Sequence, residues 1–108
     1  MAYDAGLAEV FRDALSAETV TEKNMFGGLC FMLGGNMVCG IFRQRPMFRV
    51  GPANAAAALA QPGVGQMEMK GKPMVGYVDC SAELFADDMA RDRLLNLAVG
   101  FVKTLKPK

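Results

Sequence analysis

The chain has 108 residues, 52% of them hydrophobic and 21% charged, and its 12 basic and 11 acidic side chains leave a formal charge of +1. That length accommodates one domain whose core needs neither disulfides nor metal, and the composition excludes a disordered polyelectrolyte. The charge balance argues against a protein that works by spreading positive charge over nucleic acid or an anionic membrane.

Histidine is absent. Its absence excludes Ser-His and Cys-His nucleophile pairs and every histidine-containing zinc site. No apolar run approaches the roughly 20 residues that span a bilayer. The opening MAYDAGLAEVFRDAL is acidic and periodic, without the basic start and apolar stretch of a signal peptide, which points to the cytoplasm. Cys30, Cys39 and Cys80 are odd in number and lack C-x-x-C spacing, as expected of reduced thiols in that compartment.

Taken in chain order, Leu7, Val10, Phe11, Ala14 and Leu15 form the apolar stripe of a first helix, with Asp4 as its N-cap. Two apolar runs, Leu29 to Leu33 and Met37 to Phe42, flank Gly34-Gly35-Asn36 and predict a hairpin. With Gly34-Gly35 at the turn, simple register sets Cys30 opposite Cys39, two small buried hydrophobes or a redox pair. A third strand is expected over residues 46–51, followed by an alanine-rich helix with Pro52 at N1 and Gln61-Pro62-Gly63 as its stop. Two more strands flank a turn at Gly71-Lys72-Pro73. Ser81 caps a short helical turn, and Asp87 or Asp88 opens a last helix whose buried stripe is Leu94, Ala98, Phe101, Val102 and Leu105. The order is helix, three strands, helix, two strands, helix: an α+β domain, residues 1–108, with an antiparallel sheet packed by helices.

The methionines and cysteines are ligand types that suit copper(I). However, Met67 and Met69 alternate with Gln66, Glu68 and Lys70, as on a strand with one buried face. The remaining methionines lie in apolar positions where methionine fills gaps. Core packing is therefore the expectation, with no metal and no cofactor. Asp87 and Asp88 read as helix caps, Glu18 and Glu22 as loop residues, and Ser16 and Ser81 lack a base, so no catalytic residue is expected. Arg43, Arg45 and Arg49, with Lys70 and Lys72, form a candidate basic patch beside Phe48 and Tyr77, of which Arg43, Arg45, Arg49, Lys72 and Tyr77 are the expected partner contacts. Arg49, within a strand, would need Glu68 or Asp79 as partner if buried.

Three segments carry a family resemblance: NMFGGLCFMLGGNMVCGIF, then FRVGP before the second helix, then GKPMVGYV ending at Tyr77. In this order and spacing, over about residues 20–100, they resemble the N-terminal domain of the TfoX/Sxy competence (DNA transformation) regulators of bacteria. The resemblance implies a fold related to secretion-chaperone-like domains. For the full-length regulators it implies a transcription coactivator working with the cyclic-AMP receptor protein. Those regulators carry a second, helical C-terminal domain, whereas this sequence resembles the stand-alone N-terminal domain. The expected function is a non-catalytic regulatory or protein-interaction domain with a protein partner such as a transcription regulator. Self-association through an open sheet face or edge strand is also expected, and direct nucleic-acid binding is not. The alternative is a small-molecule-binding protein or small enzyme, favoured by a sheet-face pocket lined by Met and Phe with one buried charged group.

Overall fold

Asp4 Oδ1 accepts hydrogen bonds from the N–H groups of Gly6 (2.7 Å) and Leu7 (3.3 Å), which satisfies donors that the first turn of a helix leaves open. It opens α1 (Ala5–Ala14) in the computed structural model, which describes residues 4–25 and 27–108. The strands are β1 (Val20–Met25), β2 (Gly28–Leu33), β3 (Asn36–Phe42), β4 (Arg45–Arg49), β5 (Val64–Met69) and β6 (Lys72–Cys80). A 3-10 turn at Pro52–Asn54 leads into α2 (Ala55–Leu59), and α3 (Ala82–Ala86) and α4 (Asp88–Val102) end the fold. All strand pairs are antiparallel, in the order β1-β2-β3-β4-β6-β5. The expected α+β class holds, and the helix–strand order matches roughly, with four strands rather than three before the second helix.

One face of the sheet carries the helices. Phe11 of α1 meets Phe85 of α3 at 4.8 Å between ring centroids, Phe31 of β2 at 5.3 Å and Phe48 of β4 at 5.6 Å. Leu94 and Ala98 of α4 complete this core against Val38, Val78 and Cys80. The caps at Ser81 and Asp87 form as expected: Ser81 Oγ accepts from Leu84 N–H, and Asp87 Oδ1 accepts from Met89 and Ala90 N–H.

The structure corrects the sequence reading at four places. β1 was expected to be loop, and its residues Thr21, Glu22, Lys23 and Asn24 are all exposed. A polar edge strand has no buried face, so it shows no alternation to read. Second, the Gly34-Gly35 turn forms, with Leu33 opposite Asn36, but a bulge shifts the register between Phe31 and Met32. Cys30 therefore faces Gly40, Cys39 faces Phe31, and the two thiols lie on opposite faces of the sheet. Third, the β5–β6 turn is Lys70-Gly71, closed by Met69 and Lys72, so Pro73 lies inside β6. Fourth, α4 ends at Val102, which leaves Leu105 of the expected stripe beyond the helix.

β5 and β6 are also out of step: Gln66 faces Val78, while Glu68 already faces Pro73. Residues 74–77 of β6 loop out of its pairing with β5, and the Gln66 side-chain amide fills the gap. Its Nε2 donates to the carbonyls of Met67 (2.9 Å), Met74 (2.9 Å) and Tyr77 (3.2 Å). Gly76 completes the irregularity at φ +85°, with its carbonyl accepting from Gly51 N–H at 3.0 Å. A Cβ at Gly76 would stand 3.1 Å from backbone atoms of Gly51 and Pro52. Gly76→Ala is therefore expected to destabilise the fold by about 1–3 kcal/mol, read as a lower urea midpoint. An unchanged midpoint would mean that the crossing relaxes freely.

Candidate functional site

The face of the sheet without helices is built by the residues that alternate with the aromatic core. On β2, Cys30 points away from the side that holds Leu29 and Phe31, and across the sheet it pairs with Gly40, which pairs with Met47 of β4. Gly40 can carry no side chain, because a Cβ there would fall 2.3 Å from the Leu29 carbonyl oxygen. The row thus has a gap between a thiol and a thioether.

That gap is the floor of a recess. Met47 of β4 and Met67 of β5 are each 3% exposed. Half-buried Met25 of β1, Met37 of β3, Met69 of β5 and Met74 of β6 line it further, with Phe42 and Ile41. Met25 and Met69 come from the two edge strands, which in a flat six-stranded sheet would lie roughly 24 Å apart. Their convergence on one recess means that the sheet curls around it. No lining residue carries a charge, so the pocket meets the Met and Phe expectation but lacks the buried charged group that would favour a metabolite or enzyme site.

The basic candidates do not form one patch. Arg43 occupies the β3–β4 turn at φ +53°, followed by Gln44 at φ +62°. The Arg43 guanidinium lies 5.2 Å from the centre of the Phe42 ring. Arg45, the first residue of β4, forms an ion pair with Asp79 at 3.0 Å. Arg49 and Tyr77 do meet, as cross-strand partners, with the guanidinium 5.6 Å from the Tyr77 ring and 5.6 Å from that of Phe101. Its contacts are thus aromatic faces, while the Asp79 that sequence offered it serves Arg45. Lys72 opens β6 opposite Met69, four β5 positions from the Gly65 that faces Asp79, hence roughly 13 Å from the Arg45 end of that strand. Near Lys72, sequence reasoning missed Val75, which the looped-out stretch leaves 72% exposed.

The carboxylates have structural employment. Glu22 Oε1 and Oε2 accept from Arg12 at 2.8 and 2.7 Å, joining β1 to α1, and these bonds hold the Glu22 carboxyl below its ordinary value. Glu18 pairs with Lys103 at 3.1 Å and Asp88 with Arg91 at 3.1 Å. Arg91, another residue sequence reasoning did not single out, also donates to the Phe85 carbonyl at 3.2 Å and anchors α4 on α3.

The three thiols are buried. Burial raises all of them: Cys39 well above its ordinary value, Cys80 to about 12, and Cys30 as well, with Lys23 across the ladder acting in the opposite sense. None is an activated nucleophile at neutral pH. No group of three or more Cys, Asp or Glu side chains is placed to hold a metal among the described residues. Nor is any helix among them long and apolar enough to cross a membrane.

An antiparallel six-stranded sheet with helices on one face and a curled apolar recess on the other defines a small α+β domain. The particular family follows from comparison: the chain matches the model of the TfoX N-terminal domain over residues 12–102, and it belongs to that family, as a competence-regulator-like domain. The matched span includes the recess and both turns that carry the basic side chains. A search of curated proteins found no match.

A raised thiol pKa has a testable sign. The folded state holds the Cys80 proton more tightly than the unfolded chain, so its stabilising contribution is complete below about pH 9 and is lost as pH rises toward 12. Denaturant midpoints measured from pH 8 upward are expected to fall in that window, and Cys80→Ala should flatten the fall. The same slope in the variant would assign it to other groups.

Proposed function

We propose that this is a non-catalytic interaction domain that binds a protein partner, such as a transcription regulator, through the β3–β4 turn. Membership of the TfoX N-terminal family supports the regulatory class. The observation that carries the contact is the backbone of the turn itself. Arg43 and Gln44 both hold positive φ without being glycine, a conformation that costs about 1–2 kcal/mol per residue with a Cβ. Strain of that kind at an exposed turn is a pointer to use rather than to stability. It holds out Arg43, with Arg45 beside it, as a preformed basic contact for an acidic surface. Arg49, Tyr77 and Lys72 lie away from this turn and belong to the proposal only as secondary contacts.

The test is affinity capture of the tagged protein from its own lysate in the presence of nuclease. A nuclease-resistant protein partner is expected, and Arg43→Glu with Arg45→Glu should abolish its capture. Because Arg45→Glu also sets a second carboxylate beside Asp79, the urea midpoint of the variant is measured in parallel, and Arg43→Glu alone serves as the milder form. Undiminished capture by folded variants would remove the turn from consideration.

A further inference from the structure

We propose that the methionine-lined recess on the helix-free face binds a soft monovalent d10 cation, copper(I) in a cell, through thioether sulfurs together with Cys30. The site goes beyond the interaction reading, and it adjoins the β3–β4 turn through Phe42, over whose ring Arg43 lies.

The first support is segregation. The chain has nine methionines. Six of them line this recess, whereas the core under the helices, built of Phe, Leu, Val, Ile, Ala and Cys, contains none. Methionine used only to fill irregular gaps would be expected on both faces of the sheet. Placing Leu or Ile on one face and thioethers on the other separates shape from sulfur chemistry.

The second support is size and polarity. The cavity is about 20 Å³, space for one water molecule or one ion and far below the volume of an organic ligand site. A buried water needs two to four polar partners, and this lining offers only sulfur and hydrocarbon. A hard or divalent cation would need carboxylate or carbonyl oxygens. Thioethers and one thiolate are the donor set that suits copper(I).

Charge then balances. Cys30 loses its proton to solvent as the cation binds, so that Cu⁺ and the thiol give a neutral Cu–S unit plus H⁺, with no electron transferred. Cys30 is the one cysteine that faces the recess, since Cys39 and Cys80 belong to the helix-side core. The half-buried rim of Met25, Met37, Met69 and Met74 gives the ion a way in to the buried Met47 and Met67.

Silver(I) serves as a redox-inert probe, followed by NMR of ¹³C-methyl methionine under anaerobic conditions, with bicinchoninate competition for copper(I). Saturation at one equivalent is expected, with the Met47 and Met67 methyl signals moving. Met89 on α4, 74% exposed, should not respond. Met47→Leu with Met67→Leu keeps the side-chain volume and should weaken binding by about tenfold or more. The inference is overturned if the wild type takes no metal from the competitor, if only exposed methionines shift, or if the folded double variant binds equally well. Should that variant fail to fold, the methyl shifts of the wild type decide.

Discussion

The contact on which the rest of the molecule depends is that of Phe11 with three other rings. Phe11 comes from a helix, Phe31 and Phe48 from different strands, and Phe85 from a helix far along the chain. Tilted aromatic pairs at these distances contribute about 0.5–1.5 kcal/mol each beyond the area they bury. More important is what they fix. With Phe11 seated, the next residue, Arg12, is aimed at Glu22, and the polar edge strand is tied to α1 by a bidentate pair. Exposed ion pairs are weak as sources of stability, but here the aromatic core supplies the stability and the pair supplies the register.

Seating the helices on one face leaves the other with a problem of its own. β2 and β3 are apolar on nearly every residue, and β4 is buried at its three central ones, so both faces must leave water. No helix covers the second face among the described residues, and curling supplies the cover. The sheet bends until methionines from its two edges meet over Met47, and Gly40 makes room at the bottom. Unbranched thioether side chains suit a curved, narrowing space that stiff β-branched residues would fill poorly. The same bend that hides the apolar face gathers the sulfurs.

Local features of this fold were legible in the sequence, and features that depend on distant pairing were not. Asp4, Ser81 and Asp87 were readable as caps because a cap and the amides it serves lie within three residues. The Gly34-Gly35 hairpin was readable for the same reason. Cys30 and Cys39 were set opposite each other by counting back from that turn, and the count failed because one extra residue is accommodated on β3, between Met37 and Cys39. A bulge has no signature that alternation alone reveals. β1 went unread because none of its four central residues is buried. The basic cluster read from proximity in sequence was divided by topology, with Arg45 and Lys72 at opposite ends of the sheet. Conversely, the methionines looked like ordinary strand interiors because their alternation is local, whereas their convergence joins residues as far apart as Met25 and Met74.

Three tight hairpins have turns that lie wholly among the described residues. All have two-residue turns with positive φ at both positions: Gly34-Gly35, Lys70-Gly71 and Arg43-Gln44. Glycine adopts that backbone without cost; the first turn uses it at both positions and the second at Gly71 alone, with Lys70 at φ +54°. The third does not, although it joins the two central strands, where pairing is most strongly enforced. Cys39 and Phe48 face each other at the far end of that pair and are both fully buried. The buried strands can therefore hold an unfavourable turn in one conformation. A basic side chain presented on such a turn is ordered before any partner arrives, so less conformational entropy remains to be lost on binding. On the proposed reading, the buried strands and the exposed arginine act together, the first holding the turn on which the second would meet a partner.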